Sequence, residues 1–136
     1  MPSTFFGTYE RTMDDKGRVV IPAELRTELG EAFMAYSADD RCVELMPKSR
    51  WQLLAQRVED RDQFDEETKE LDRIYFGGAY ECSMDDAGRA LIPPVPREAA
   101  KLGKEIVFVG ARNRIELWNP EEWKRAKAAR QAKRKG

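Results

Sequence analysis

The chain has 136 residues, room for one domain with a sizeable core but not for two ordinary ones, and 24 Lys and Arg against 25 Asp and Glu leave a formal charge of −1. It contains no histidine and two cysteines, which excludes Ser-His-Asp and Cys-His catalysis, His-ligated zinc, a four-thiolate metal site and a histidine switch near neutral pH. No stretch approaches the roughly 20 apolar residues of a membrane span, and MPSTFFGTYE at the start lacks the basic and apolar regions of a signal peptide.

In chain order, Tyr9 to Met13 alternates as a strand does, and Arg18 to Ile21 is a β-branched run. Between them Asp14-Asp15-Lys16-Gly17 reads as a tight hairpin, with Asp capping the turn and Gly supplying a positive φ. Pro22 suits the first turn of a helix over PAELRTEL, and Gly30 stops it. Phe33 to Tyr36 and Cys42 to Met46 form a second strand pair around Ala38-Asp39-Asp40. Lys48 to Tyr75 reads as helical in two pieces. The first places Trp51, Leu54 and Val58 on one side; the second has a thin stripe of Phe64, Leu71, Ile74 and Tyr75, suited either to a half-core or to a neighbouring subunit. Later come strands at Glu105 to Val109 and Ile115 to Trp118, around Ala111-Arg112-Asn113. Cys42 and Cys82, too distant for a C-x-x-C motif, read as small buried hydrophobes of a reduced cytoplasmic protein.

The chain repeats itself. Phe5 to Arg26 and Phe76 to Arg97, offset by 71 positions, are identical at twelve of 22 positions, including M-D-D-x-G-R and Ile-Pro. The second hairpin is thus Asp85-Asp86-Ala87-Gly88. Half a chain, about 70 residues, is small for an independent core, so the halves are expected to share one. The expected organisation is a first half over 5–50, a helical connector over 51–75, a second half over 76–123 and a flexible basic tail over 124–136. That tail carries seven Lys or Arg and no acid, whereas residues 1–123 hold 17 basic and 25 acidic groups, a net of −8.

An enzyme finds no support in these residues. The adjacent carboxylates of the repeated motif point to opposite sides of a strand end, lack the alternating oxygen ligands of a calcium loop, and stand beside no nucleophile with a base. What the motif does present, twice, is an arginine directly after a glycine turn. Arg18 can bridge back to Asp14 across the turn, a pairing of little worth if exposed. It can equally reach a phosphate or the O6/N7 edge of guanine, which its planar fork matches.

YERTMDDKGRVVIPAELR and its second copy YECSMDDAGRALIPPVPR resemble the duplicated motif of the MraZ family, bacterial regulators of the division and cell-wall gene cluster. Each half also resembles the AbrB-like swapped-hairpin domain. The resemblance runs from Phe5 to about Trp123. It implies a mainly β (α+β) fold with short helices, in which two swapped-hairpin halves form one pseudo-two-fold β-barrel. It further implies a homo-oligomeric ring that binds direct repeats in double-stranded promoter DNA, mainly as a repressor of its own operon, in the cytoplasm and on the nucleoid. The family's D-x-x-x-R signature falls on Asp14 with Arg18 and on Asp85 with Arg89.

The candidate DNA-contacting residues are therefore Arg18, Lys16, Arg89 and Arg11, supported at the turns by Asp14, Asp15, Gly17, Asp85, Asp86 and Gly88; Arg26 and Arg97 read as structural. No cofactor, metal, catalytic residue or small-molecule substrate is expected. Ala87 stands where the first hairpin has Lys16, and Pro94 and Pro96 make the second helix shorter or irregular, so the halves should differ. The competing reading is a protein-interaction module, an antitoxin-like or scaffold ring with weak DNA contact.

Overall fold

The computed structural model describes residues 4–37 and 39–135. The expected loop residue Ala38 lies outside them.

Among the described residues, eight strands and five α-helices follow one another in two parallel series. The first is β1 (Thr8–Thr12), β2 (Arg18–Val20), α1 (Ala23–Leu29), β3 (Ala32–Tyr36), β4 (Val43–Pro47) and α2 (Lys48–Glu59). After the linking α3 (Glu66–Leu71) and a π-turn over Asp72–Phe76 come β5 (Ala79–Ser83), β6 (Arg89–Leu91), α4 (Pro94–Ala99), β7 (Glu105–Gly110), β8 (Ile115–Trp118) and α5 (Pro120–Lys135). α4 has six residues to the seven of α1, as its prolines lead one to expect.

The duplication becomes physical in the strand pairing. A six-stranded antiparallel sheet runs β1-β7-β8-β4-β3-β5, and a separate ribbon pairs β2 with β6. Each half keeps its own β3–β4 or β7–β8 hairpin but lends its first strand to the other: β1 lies on β7 and β5 on β3. Reciprocal backbone bonds sew the join. Ile21 donates to the Gly88 carbonyl and Ile92 to that of Gly17; Met13 donates to Lys104 and Met84 to Glu31. One buried cluster results, with Phe5, Ile21, Leu25 and Phe33 from one half against Ile92, Ile106, Phe108 and Leu117 from the other. Fully burying such side chains is worth about 1.5–3 kcal/mol each, so neither half retains its core alone.

The apolar stripe expected through Phe64 is corrected, no sheet closes, and the basic run is helical. The sheet does not close into a barrel: β1 and β5 are its edges. β2 and β6 are three residues long because Ile-Pro follows each, and among the described residues their β-bridging to the edge-strand chains is the single pairs Met13–Val19 and Met84–Ala90. Phe64 belongs to no apolar stripe; it is 91 % exposed in the turn between α2 and α3, where the Asp62 carboxylate accepts from its amide and Asp65 caps the next helix. The basic run after Trp123 is helical as far as Lys135, since Pro120 starts a helix and the alanines among the charges favour it.

Candidate nucleic-acid interface

The two D-D-x-G-R turns are built alike. Asp14 Oδ1 accepts from the amides of Lys16 (3.0 Å) and Arg18 (2.9 Å), and Asp85 Oδ1 does the same for Ala87 and Arg89, both at 2.9 Å. The other carboxylate oxygen takes the arginine Nε, at 2.7 Å for Arg18 and 3.2 Å for Arg89. These bonds, the Arg18 and Arg89 amides foremost, hold both carboxyls below the usual carboxylate range. The first aspartate of each motif is thereby consumed in shaping the turn and orienting its arginine. Asp15 and Asp86 stand exposed at the tips.

Gly17 and Gly88 have φ of +91° and +80° and are buried despite their place in a hairpin. What covers each is an arginine from the opposite half: a Cβ on Gly17 would run into the Arg97 guanidinium, and one on Gly88 into that of Arg26. Arg97 Nη1 also donates to the Lys16 carbonyl at 2.8 Å, and Arg26 Nε to the Ile21 carbonyl at 2.8 Å. The two helix arginines therefore clamp the hairpins across the pseudo-dyad. Their structural role was legible; their partner was not, although Arg26 and Arg97 share the same 71-residue offset as the glycines.

On the ribbon, Arg18 pairs with Leu91, Val19 with Ala90 and Val20 with Arg89. Val19 and Ala90 face the core, while Arg18, Val20, Arg89 and Leu91 form the exposed face. Arg18 and Arg89 are diagonal neighbours, their backbones roughly 7–8 Å apart at this register, with Val20 (42 % exposed) and Leu91 (51 % exposed) between them. The apolar pair was missed in the sequence, though the period-two pattern of RVV and RAL signals it. Lys16 is exposed at the first tip. Arg11 is not brought to this face by any contact; it sits on β1, its guanidinium 5.9 Å from the Tyr9 ring centre and its Nη1 bonded to the Glu10 carbonyl.

A family model described as "MraZ protein, putative antitoxin-like" matches residues 4–74 and again 75–135, dividing the chain where the sequence repeat does. The chain belongs to the MraZ family. Its relatives include proteins named transcriptional regulator MraZ. That of Carboxydothermus hydrogenoformans is 41 % identical over 119 residues, 88 % of this chain and 83 % of its own length. That of Roseiflexus castenholzii is 41 % identical over 128 residues, 94 % of this chain and 90 % of its own. The two matches thus map onto the interlocked halves, and the arginine of each Asp-Asp-x-Gly-Arg turn forms one corner of the ribbon face.

Proposed function

We propose that this protein is a sequence-specific DNA-binding transcriptional regulator, and that the exposed face of the β2–β6 ribbon reads the major groove. The observation that carries this reading is the face itself: two oriented arginines flanking two exposed apolar side chains on a ribbon contributed by both halves. A two-stranded ribbon is of a size the major groove admits. Arginine forks match guanine edges, and Val20 and Leu91 suit the methyl group of thymine. The names of the relatives point the same way. Arg18 and Arg89 read bases, Lys16 holds a phosphate at the first tip, and Arg11 is a more distant backbone contact; Asp14, Asp15, Gly17, Asp85, Asp86 and Gly88 set the turns.

The finer reading is a repressor of its own division and cell-wall operon, acting in the cytoplasm on the nucleoid. A single ribbon makes few contacts, and residues 1–123 carry a net charge of −8 that repels DNA, so one subunit binds weakly at cellular salt. A ring of subunits engaging direct repeats turns weak contacts into avidity.

The test is a gel-shift titration on the protein's own upstream region at two salt concentrations with unrelated DNA as competitor. A shift that survives competitor and needs more than one repeat is expected. Arg18→Ala should lower that affinity by about 1–3 kcal/mol, roughly fivefold or more, with the fold and assembly intact; unchanged affinity would remove Arg18 from the interface. The "antitoxin-like" description favours the second reading, a module that binds a partner protein. One stoichiometric partner in a pull-down, with no operator binding, would put that reading first.

A further inference from the structure

α2 and α5 each follow the last strand of their half, and Trp51 on one corresponds to Trp123 on the other. The second half closes this corner. The Trp118 and Trp123 rings lie 5.4 Å apart, and Trp123 and Ala126 pack on Cys42, Val107 and Trp118. In the first half Trp51 packs on Tyr36 and Phe76, ring centres 5.7 and 5.2 Å apart, and beside them lies a cavity of about 240 Å³, walled by α2, β3, β4, the π-turn and the β7–β8 turn.

The floor of this cavity sets one guanidinium against two carboxylates. Arg114 Nη2 contacts Glu116 at 2.8 Å, and its Nε lies 3.6 Å from Glu44 Oε1, which also accepts from the Tyr36 hydroxyl at 3.0 Å. The roof carries cations alone, and with Arg114 they leave the lining net positive. Arg50 and Arg57 line the cavity from α2, seven residues and so about two helical turns, roughly 10.5 Å, apart. Among the described residues neither has an ion-pair, hydrogen-bond or ring partner. At the spacing that relates the tryptophans, their counterparts are Glu122 and Ala129, so the second half has no such pair. Tyr36 and Tyr75 supply an aromatic wall, their ring centres 5.5 Å apart.

Two unneutralised guanidinium groups over an aromatic-walled cavity, in a body that is otherwise acidic, select an anion that brings an organic body with it. Arginine forks bind phosphate in two places, and tyrosine rings cover a flat or sugar-like ring. The volume, about 240 Å³, is below the small end of ligand pockets, which limits the occupant to a small molecule. We propose that this cavity binds a small phosphate monoester, of the mononucleotide or sugar-phosphate class. The proposal goes beyond DNA recognition, and its test contains no DNA.

Isothermal titration calorimetry of the full chain would compare adenosine 5′-monophosphate, glucose 6-phosphate and inorganic phosphate. The expected result is saturable one-to-one binding of at least one ester, tighter than inorganic phosphate, with the tighter ester assigning the class. Arg57→Ala and Arg50→Ala should each weaken it at least tenfold while circular dichroism is unchanged; Arg57 is exposed, so its variant stands if the other fails to fold. Arg18→Ala on the ribbon should leave binding intact. The proposal is overturned by no saturable binding of either ester, by equal binding of ester and inorganic phosphate, by insensitivity to both α2 substitutions, or by loss of binding in Arg18→Ala.

Discussion

Asp14 and Asp85 show how a single exposed carboxylate can specify a turn. Each accepts two backbone amides and orients the arginine four residues on, and the folded state holds its pKa below the ordinary value. A depressed carboxylate contributes stability that is complete above its unfolded pKa, about 4, and is lost as pH falls through the folded value. Denaturant midpoints should therefore fall on acidification below about pH 4, and Asp14→Asn with Asp85→Asn should flatten that part of the profile. An unchanged profile would assign the acid sensitivity to other carboxylates. Gly17 makes a separate demand. Gly17→Ala meets both a positive φ and the Arg97 guanidinium. It should destabilise by about 1–2 kcal/mol from the backbone alone, read as a lower denaturant midpoint. Adding Arg97→Ala should relieve the clash but not the φ cost.

The strands and turns were legible because their signals are local: β-branched runs, Asp-Asp-x-Gly turns and Ile-Pro stops. How they pair was not. Nothing local in YERT distinguishes pairing within its own half from pairing with EIVFVG almost a hundred residues later, yet β1 lies on β7. No sheet closes into the barrel expected from family resemblance: at β2 and β6, three-residue strands leave single bridges in place of a continuous ladder. At the candidate site the sequence located both arginine turns through the repeat. It missed Val20 and Leu91 because their importance comes from register across the pseudo-dyad. The exchange also has a consequence for fragments. Residues 1–75 contain β1 and β3 without β7 and β5, leaving two strands with unmatched edges. Produced alone, this fragment should be unfolded as a monomer, or should recover strand structure only by pairing two copies. Size-exclusion chromatography with circular dichroism distinguishes these from a folded monomer, which would contradict the shared core.

At the scale of the whole molecule the charges are divided between a body of −8 and a terminal run of seven Lys and Arg. The structure gives that run a shape, since α5 anchors through Trp123 and Ala126 and then continues past the core, exposed from Ala128 to Arg134. A chain ending at Lys127 keeps this anchor, including Lys127 over the Trp123 ring at 5.6 Å, and lacks Arg130, Lys133, Arg134 and Lys135. If α5 lies along DNA, its cations act on phosphates, which carry no sequence information. For every phosphate that the shortened chain no longer neutralises, the slope of log affinity against log salt should then fall by about 0.9. The shortened protein should therefore bind operator and unrelated DNA more weakly by the same factor, with a shallower slope and an unchanged ratio between them. Arg18→Ala should instead lower that ratio if, as proposed, the ribbon face acts on bases. Filter-binding titrations of both variants across salt separate the two roles. An unaltered slope in the shortened chain would leave the hairpins as the source of the electrostatic attraction and α5 as a solvated helix.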